Sequence, residues 1–290
     1  MKKIIILIPV YNDWQSLIKL LDEINNTVEN LKGFLFDCII INDASTQSLP
    51  LFNKPKNLNS LKVLNMKKNQ GHAKCNAFGI RYIIQNEKFD NLILMDGDGE
   101  DRPEEIQSLI DKMQKNPQHS VVAKRVKRSE GFFFQFLYNA HKLLTIVLTG
   151  KNINFGNYTC LIKSDVKKIS DEASLWNSFS GTIKKIIKDY KEIESIRGLR
   201  YFGPSKMSFL NLLLHSFSII AVFKYQVFLR SAIAILVIYF LKIFLGTLAT
   251  LLIIFIIFLC LLIFLISFRE SKKELIQSKN NLDNIKIITH

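Results

Sequence analysis

The sequence predicts an α/β fold, a mostly parallel sheet with helices on both faces, followed by a C-terminal transmembrane helical hairpin. Three observations lead there. Short apolar runs alternate with amphipathic stretches through the first half of the chain, the pattern of strands joined by crossover helices. Polar and acidic residues follow directly on the ends of those runs, where the sites of such sheets gather. From Ser231 to Phe268 almost every residue is apolar and Lys242 is the only charge. That run exceeds the ~20 residues one helix needs to cross a bilayer.

The elements follow in order. Residues 2–8 read as a buried strand and Trp14 to Leu31 as an amphipathic helix. Phe34 to Ile41 and Leu61 to Met66 are the next strands, His72 to Gln85 a helix, and Asp90 to Met95 a fourth strand. A helix follows Pro103, with Glu104 and Glu105 suited to the positive end of its dipole. Ser120 to Lys124 is a fifth strand. Phe132 to Leu148 is an aromatic-rich helix, Asn154 to Ile162 a further strand, and Ser180 to Tyr190 a basic helix. Phe209 to Phe223 is apolar but interrupted by Asn211, His215 and Ser218, which suits a helix lying in the membrane interface.

Domains divide accordingly: residues 1–206 the α/β domain, 207–228 interfacial, 229–268 a two-helix hairpin and 269–290 a basic cytoplasmic tail. Lys224 and Arg230 precede the apolar run, and Arg269, Lys272 and Lys273 follow it. Positive charge at both ends puts both in the cytoplasm and requires an even number of crossings. The expected location is the inner membrane, multi-pass, with the α/β domain cytoplasmic. Membrane helices of this kind also offer a surface for homo-oligomers.

The formal charge of +14 suits nucleic acid, an anionic membrane or a phosphate-rich substrate. No zinc-finger spacing, basic zipper or RNA-binding strand is present, so nucleic acid is excluded as a partner. Cys38, Cys75, Cys160 and Cys260 are scattered and imply neither a metal site nor a disulfide framework. No G-x-G-x-x-G follows the first strand, which removes a dinucleotide-dependent oxidoreductase.

Chemistry concentrates at Asp96-Gly97-Asp98. Two carboxylates one residue apart at a strand end can face one hard cation that also takes diphosphate oxygens. Together with Ile8-Pro9-Val10-Tyr11-Asn12-Asp13, Ile41-Asn42-Asp43-Ala44-Ser45-Thr46 and Asn69-Gln70-Gly71-His72, this turn resembles the ordered motifs of family-2 glycosyltransferases. Arg197, Arg200, Gly203, Ser205 and Lys206 resemble the R-x-x-R-x-x-G-x-S-K segment of the branch containing dolichol-phosphate mannose synthase and bacterial polyprenyl-phosphate sugar transferases.

The resemblance implies a Rossmann-like GT-A domain and an inverting, metal-dependent transfer from a nucleotide-sugar donor to a lipid-linked acceptor. It makes Asp96 and Asp98 ligands of Mg2+ or Mn2+, with Glu100 a third candidate, and places Asp96, Asp98 and Arg200 at the chemistry. Pro9, Tyr11, Asp13 and Asp43 would line the nucleoside pocket. Arg125, Arg128, Arg200, Ser205 and Lys206 would serve phosphates of donor or acceptor, since guanidinium grips them bidentately.

The acceptor is the open side. Gln135, Asn139 and Lys142 stand where relatives commonly carry an acceptor-binding Arg. Polyprenyl phosphate needs no general base, whereas a glycan hydroxyl does, and Asp171 and Glu172 are the candidates for that role. His72 and His141 read as structural. A lipid-linked glycan of a surface polysaccharide is the alternative acceptor, and a non-catalytic membrane scaffold the remote alternative function.

Overall fold

In a computed structural model, which describes residues 1–127, 132–203 and 208–289, the first strand forms the centre of the molecule. This strand, β1 (Lys2–Val10), is buried along both faces: Ile4 to Ile8 are each fully inaccessible. Burying a side chain of that size contributes about 2 kcal/mol, so a five-residue apolar run is driven to a central position. Ile4, Ile6 and Ile8 pack on α1 (Trp14–Val28) and α3 (Glu105–Lys115) through Leu17, Leu21, Ile106 and Leu109. Ile5 and Leu7 face α2 (His72–Asn86), α5 (Lys163–Ser170) and α6 (Phe179–Ile186) on the opposite side.

The other strands are β2 (Phe34–Asn42), β3 (Ser60–Met66), β4 (Asn91–Leu94), β5 (Val121–Lys127), β6 (Phe155–Ile162), β7 (Lys191–Ile196) and β8 (Leu282–Ile287). Their order in the sheet is β7-β5-β6-β4-β1-β2-β3-β8. β1 pairs in parallel with β2 and β4, β2 with β3, and β5 with β7. β6 runs antiparallel to both β4 and β5, and β8 antiparallel to β3. The sheet is therefore mixed rather than mostly parallel. The antiparallel β6 carries the change in direction that the alternating pattern does not reveal.

Two expectations are corrected here. The helix read as Ser180 to Tyr190 ends at Ile186, and the chain then forms β7. The segment read as a basic tail, 269–290, folds back onto the sheet as α11 (Lys272–Gln277) and β8. Glu274 of α11 accepts a hydrogen bond from Trp176 Nε1 (2.8 Å) and an ion pair from Lys74 (3.4 Å).

The remaining helices form an apolar layer. They are α4 (Phe132–Thr149), α7 (Phe209–Ala221), α8 (Lys224–Phe240), the short α9 (Lys242–Leu245) and α10 (Thr247–Ser267). Leu148, Ile220, Val227 and Ile263 bury one another between α4, α7, α8 and α10, and Phe228 meets Phe264 with ring centroids 6.3 Å apart. Among the described residues one helix, starting at Thr247, is long and apolar enough to cross a membrane. α7 and α8 meet that test only as a pair bent by 84°. Large apolar side chains are bare on their outer faces, among them Ile243 at 88% and Phe244 at 84% exposure, far beyond what water-facing surfaces carry as contiguous patches.

Candidate active site

The rim at the ends of β1 and β2 is built from three loops that hold one another by polar contacts. At the end of β1 the backbone turns at Asn12, whose φ is +50°, a conformation Asn tolerates better than most residues. Asn12 Oδ1 accepts the N–H groups of Thr46 (2.9 Å) and Gln47 (3.1 Å), and its own N–H donates to Ser45 Oγ (2.9 Å). Asp43, buried at the end of β2, accepts one hydrogen bond on each oxygen, from the N–H groups of Gln70 and Gly71 (2.8 Å each). Pro9 is buried and Tyr11 is 40% exposed beside them.

β4 delivers the acidic turn. Asp96 N–H donates to Asp101 Oδ2 (2.9 Å) and Glu100 N–H to Asp98 Oδ1 (3.0 Å), so the turn is closed by its own carboxylates. Gly99 has φ +90°, and a Cβ there would stand 2.5 Å from the Tyr201 ring. The segment after β7 lies on this turn: Gly198 N–H donates to Glu100 O (2.9 Å) and Tyr201 N–H to Asp98 O (3.0 Å).

That docking brings two guanidinium groups onto the carboxylates. Arg197 pairs with Glu100, and Arg200 joins Asp98 to Asp13, with Nη2 2.7 Å from Asp13 Oδ2. On the other side His72 Nε2–H donates to Asp96 Oδ1 (2.9 Å), which also accepts from Asn157 Nδ2 (3.0 Å). Arg125 N–H donates to Asn154 O (2.9 Å), and Gly156, where a Cβ would collide with the guanidinium, makes room for its side chain.

The electrostatics follow from crowding. Burial, with Asp96 and Glu100 close by, pushes the Asp98 carboxyl up to about 6. Burial and the charge of Asp96 raise Asp101 in the same way. Burial also acts to raise Asp96, but His72, Arg197 and Arg125 override it and hold this carboxyl below its ordinary range.

The oxygen donors of Asp96 and Asp98 fit magnesium or manganese, and a cation would relieve the repulsion that raises Asp98. Among the described residues no group of three His, Cys, Asp or Glu side chains is assembled to hold a metal, and Glu100 is turned to Arg197. Arg128, Ser205 and Lys206 lie outside the described residues. Asp171 belongs elsewhere. It pairs with Arg81, about 13 Å along α2 from His72 at a rise of ~1.5 Å per residue, so it does not stand at the acidic rim as a base; the adjacent Glu172 begins the turn that leads to Leu175.

The sequence model of glycosyl transferase family 2 matches residues 5–179, more than half of the chain. The chain belongs to glycosyl transferase family 2. Among curated proteins, the undecaprenyl-phosphate 4-deoxy-4-formamido-L-arabinose transferase of Proteus mirabilis is 25% identical over 217 residues, 73% of this chain and 64% of that protein. This chain thus spans slightly under two thirds of that relative's length. Glucosyl-3-phosphoglycerate synthase of Mycobacterium tuberculosis, solved with Mn2+, uridine-diphosphate-glucose and phosphoglyceric acid, is 14% identical with a TM-score of 0.53. That match covers 78% of this chain and 79% of the other. The same enzyme with uridine diphosphate, glucosyl-3-phosphoglycerate and Mn2+ gives 0.51 at 12% identity, covering 78% and 80%. These likenesses show the GT-A fold.

In this family-2 glycosyltransferase the sequence-predicted Asp13, Asp96, Asp98 and Arg200 stand in one polar cluster, and Asp43 holds the neighbouring Gln70–Gly71 loop. Three further residues belong to it. His72 was read as structural yet touches Asp96; its signal was its place at the end of the Asn69-Gln70-Gly71-His72 run. Arg197 had a signal in the R-x-x-R spacing. Asn157 had none, since it reaches Asp96 from a strand 61 residues away.

Proposed function

We propose that this glycosyltransferase moves a sugar from a nucleotide-diphosphate donor to a membrane lipid acceptor, polyprenyl phosphate, at the cytoplasmic face. The observation that carries the reading is the nearness of the apolar helix layer to the acidic cluster. His215 of α7 lies within electrostatic range of Asp96, His72 and Arg125, and His141 Nε2–H of α4 donates to Ser216 O of α7 (3.1 Å). An acceptor whose tail lies along the apolar helices would bring its head group towards the end of the sheet that carries Asp96 and Asp98.

Topology supports the membrane part. The sheet precedes the apolar segment, and β8, which follows it, is a strand of the same sheet. Both ends of the segment thus share one compartment, which requires an even number of crossings, α8 and α10 forming the hairpin. α7, bent sharply from α8, lies in the interface.

Asp96 and Asp98 would hold Mg2+ or Mn2+, which when bound offsets the charge developing on the departing nucleoside diphosphate. Asp13 and Asp43 organise the nucleoside side, and Pro9 and Tyr11 border it. Arg125, Arg128, Arg200, Ser205 and Lys206 serve the phosphates of donor and acceptor. A phosphate acceptor is already anionic, so its oxygen attacks without a base. Purified protein with Mg2+ or Mn2+, polyprenyl phosphate and a panel of nucleotide sugars tests this. Nucleotide release with a lipid monophosphosugar product is expected, and unchanged transfer by Asp98→Ala would sink the reading.

A further inference from the structure

The strand that follows the apolar segment does more than extend the sheet. At the β3–β8 junction Asn65 and Asn284 are register partners beside a bulge between Asn65 and Met66, the kind of irregularity that re-aims a side chain. Asn65 Nδ2 donates to Asn284 Oδ1 (2.7 Å), and Asn65 Oδ1 accepts from Asn42 Nδ2 (2.8 Å). Asn42 Oδ1 then accepts the N–H of Ser45 (3.0 Å), whose hydroxyl takes the N–H of Asn12 (2.9 Å). Asn284 Nδ2 donates to Asp283 (2.7 Å), which leaves its carbonyl oxygen for Asn65. An unbroken line of amide hydrogen bonds thus runs from the far end of the chain to the loops at the ends of β1 and β2.

A second line runs beside it. Asn281 Oδ1 accepts the N–H of Lys68 (3.1 Å), its Nδ2 donates to Lys68 O (2.9 Å), and Lys67 N–H donates to Asn281 O (2.7 Å). The loop so fastened is the one whose Gln70 and Gly71 N–H groups hold Asp43.

We propose that Asn284 and Asn281 are positioning residues for the donor nucleotide: the post-membrane strand sets the geometry of the nucleoside pocket. Hydrogen bonds in a connected chain polarise and orient one another, so losing the terminal acceptor loosens each loop along the line. The inference rests on the reading that this pocket takes a nucleoside diphosphate. It makes donor binding depend on a segment that reaches β3 only after the apolar helices have returned the chain to the sheet.

The test uses the full-length protein in detergent, titrated calorimetrically with UDP and with GDP in the presence of Mn2+. Asn284→Leu removes the acceptor, and Asn284→Asp keeps an oxygen for Asn65. For the nucleotide that wild type binds, Asn284→Leu is expected to weaken binding about fivefold, the scale of one networked hydrogen bond. It should raise the donor KM by a similar factor while leaving kcat and the melting temperature near wild type; Asn284→Asp should restore most of the loss. Should Asn284→Leu fold poorly, amide exchange in Asn281→Ala decides instead, with faster exchange at residues 42–47 and 67–71 expected. Wild-type binding of nucleotide by Asn284→Leu, or unaltered exchange in Asn281→Ala, overturns the inference alone. A wild-type protein that binds no nucleoside diphosphate overturns the glycosyl-transfer reading, and this inference with it.

Discussion

Arg200 joins Asp13 to Asp98: one guanidinium nitrogen lies 2.7 Å from Asp13 Oδ2 and the other contacts Asp98 Oδ2. A cation bound by Asp98 competes with that ion pair. Charge-assisted pairs of this kind are worth about 1.5–3 kcal/mol. Arg200→Ala is therefore expected to tighten Mn2+ binding about tenfold, read from the electron paramagnetic resonance of free Mn2+. Transfer is expected to fall at least tenfold if, as proposed, Arg200 also serves a phosphate. Unaltered Mn2+ affinity would show that guanidinium and cation occupy separate places.

The closeness of Tyr201 to Gly99 makes a second prediction. Gly99→Ala meets both a left-handed backbone (φ +90°) and the Tyr201 ring, so the segment from Arg197 to Tyr201 loses its seat on the acidic turn. Trypsin is expected to cut after Arg197 and Arg200 faster than in wild type. Adding Tyr201→Ala removes the collision but not the backbone cost of about 1 kcal/mol, so the double variant stays easier to cut. Wild-type resistance in Gly99→Ala would mean that the segment does not depend on this contact.

How much of this was legible in the sequence depends on where each partner sits in the chain. Ile4 to Ile8 and Leu92 to Leu94 announce buried strands because every residue in them is apolar. β7 reads Lys-Glu-Ile-Glu-Ser-Ile and is largely bare at the sheet edge, so its composition looks like a surface helix. β8 pairs with Lys62 to Met66, more than 200 residues earlier, and no local pattern signals such a partner. The site divides the same way. Asp96 and Asp98 stand out through their turn and strand, whereas Asn157 acquires its place only when β6 runs back beside β4. Asp171 has suitable chemistry, but Arg81 holds it away from the rim.

Stability at low pH turns on Asp37. Burial acts to raise its carboxyl, but hydrogen bonds from Lys3, Asn59 and Ser60 outweigh this and hold it below the ordinary 3.8. Lys3 Nζ lies 2.6 Å away and Asn59 Nδ2 2.7 Å. A depressed carboxyl stabilises the fold fully above about pH 4 and loses that contribution as pH falls through its lowered value. Asp37→Asn should lower stability at pH 7 by about 1–3 kcal/mol. The gap to wild type should shrink as the pH drops below 4, measured by thermal melts across pH. A gap that is constant with pH would assign the effect to packing rather than to the ionised pair.

His72 decides how Asp96 presents its carboxylate. Oδ1 accepts from both His72 Nε2 and Asn157 Nδ2, so two donors fix the plane of the group and leave Oδ2 for a cation. Groups that orient a metal-binding carboxylate typically matter by about 10–100-fold in affinity or activity. His72→Ala is expected to weaken Mn2+ binding and slow transfer within that range. His72→Gln offers an amide N–H on a side chain of similar reach and should recover most of both, with no imidazole left to titrate. If His72→Gln were as impaired as His72→Ala, proton exchange at the ring rather than orientation of Asp96 would be the role of His72. The two variants, assayed across pH 6 to 9, separate those roles: an orienting residue leaves the pH profile of His72→Gln parallel to wild type, and a proton-exchanging one flattens it.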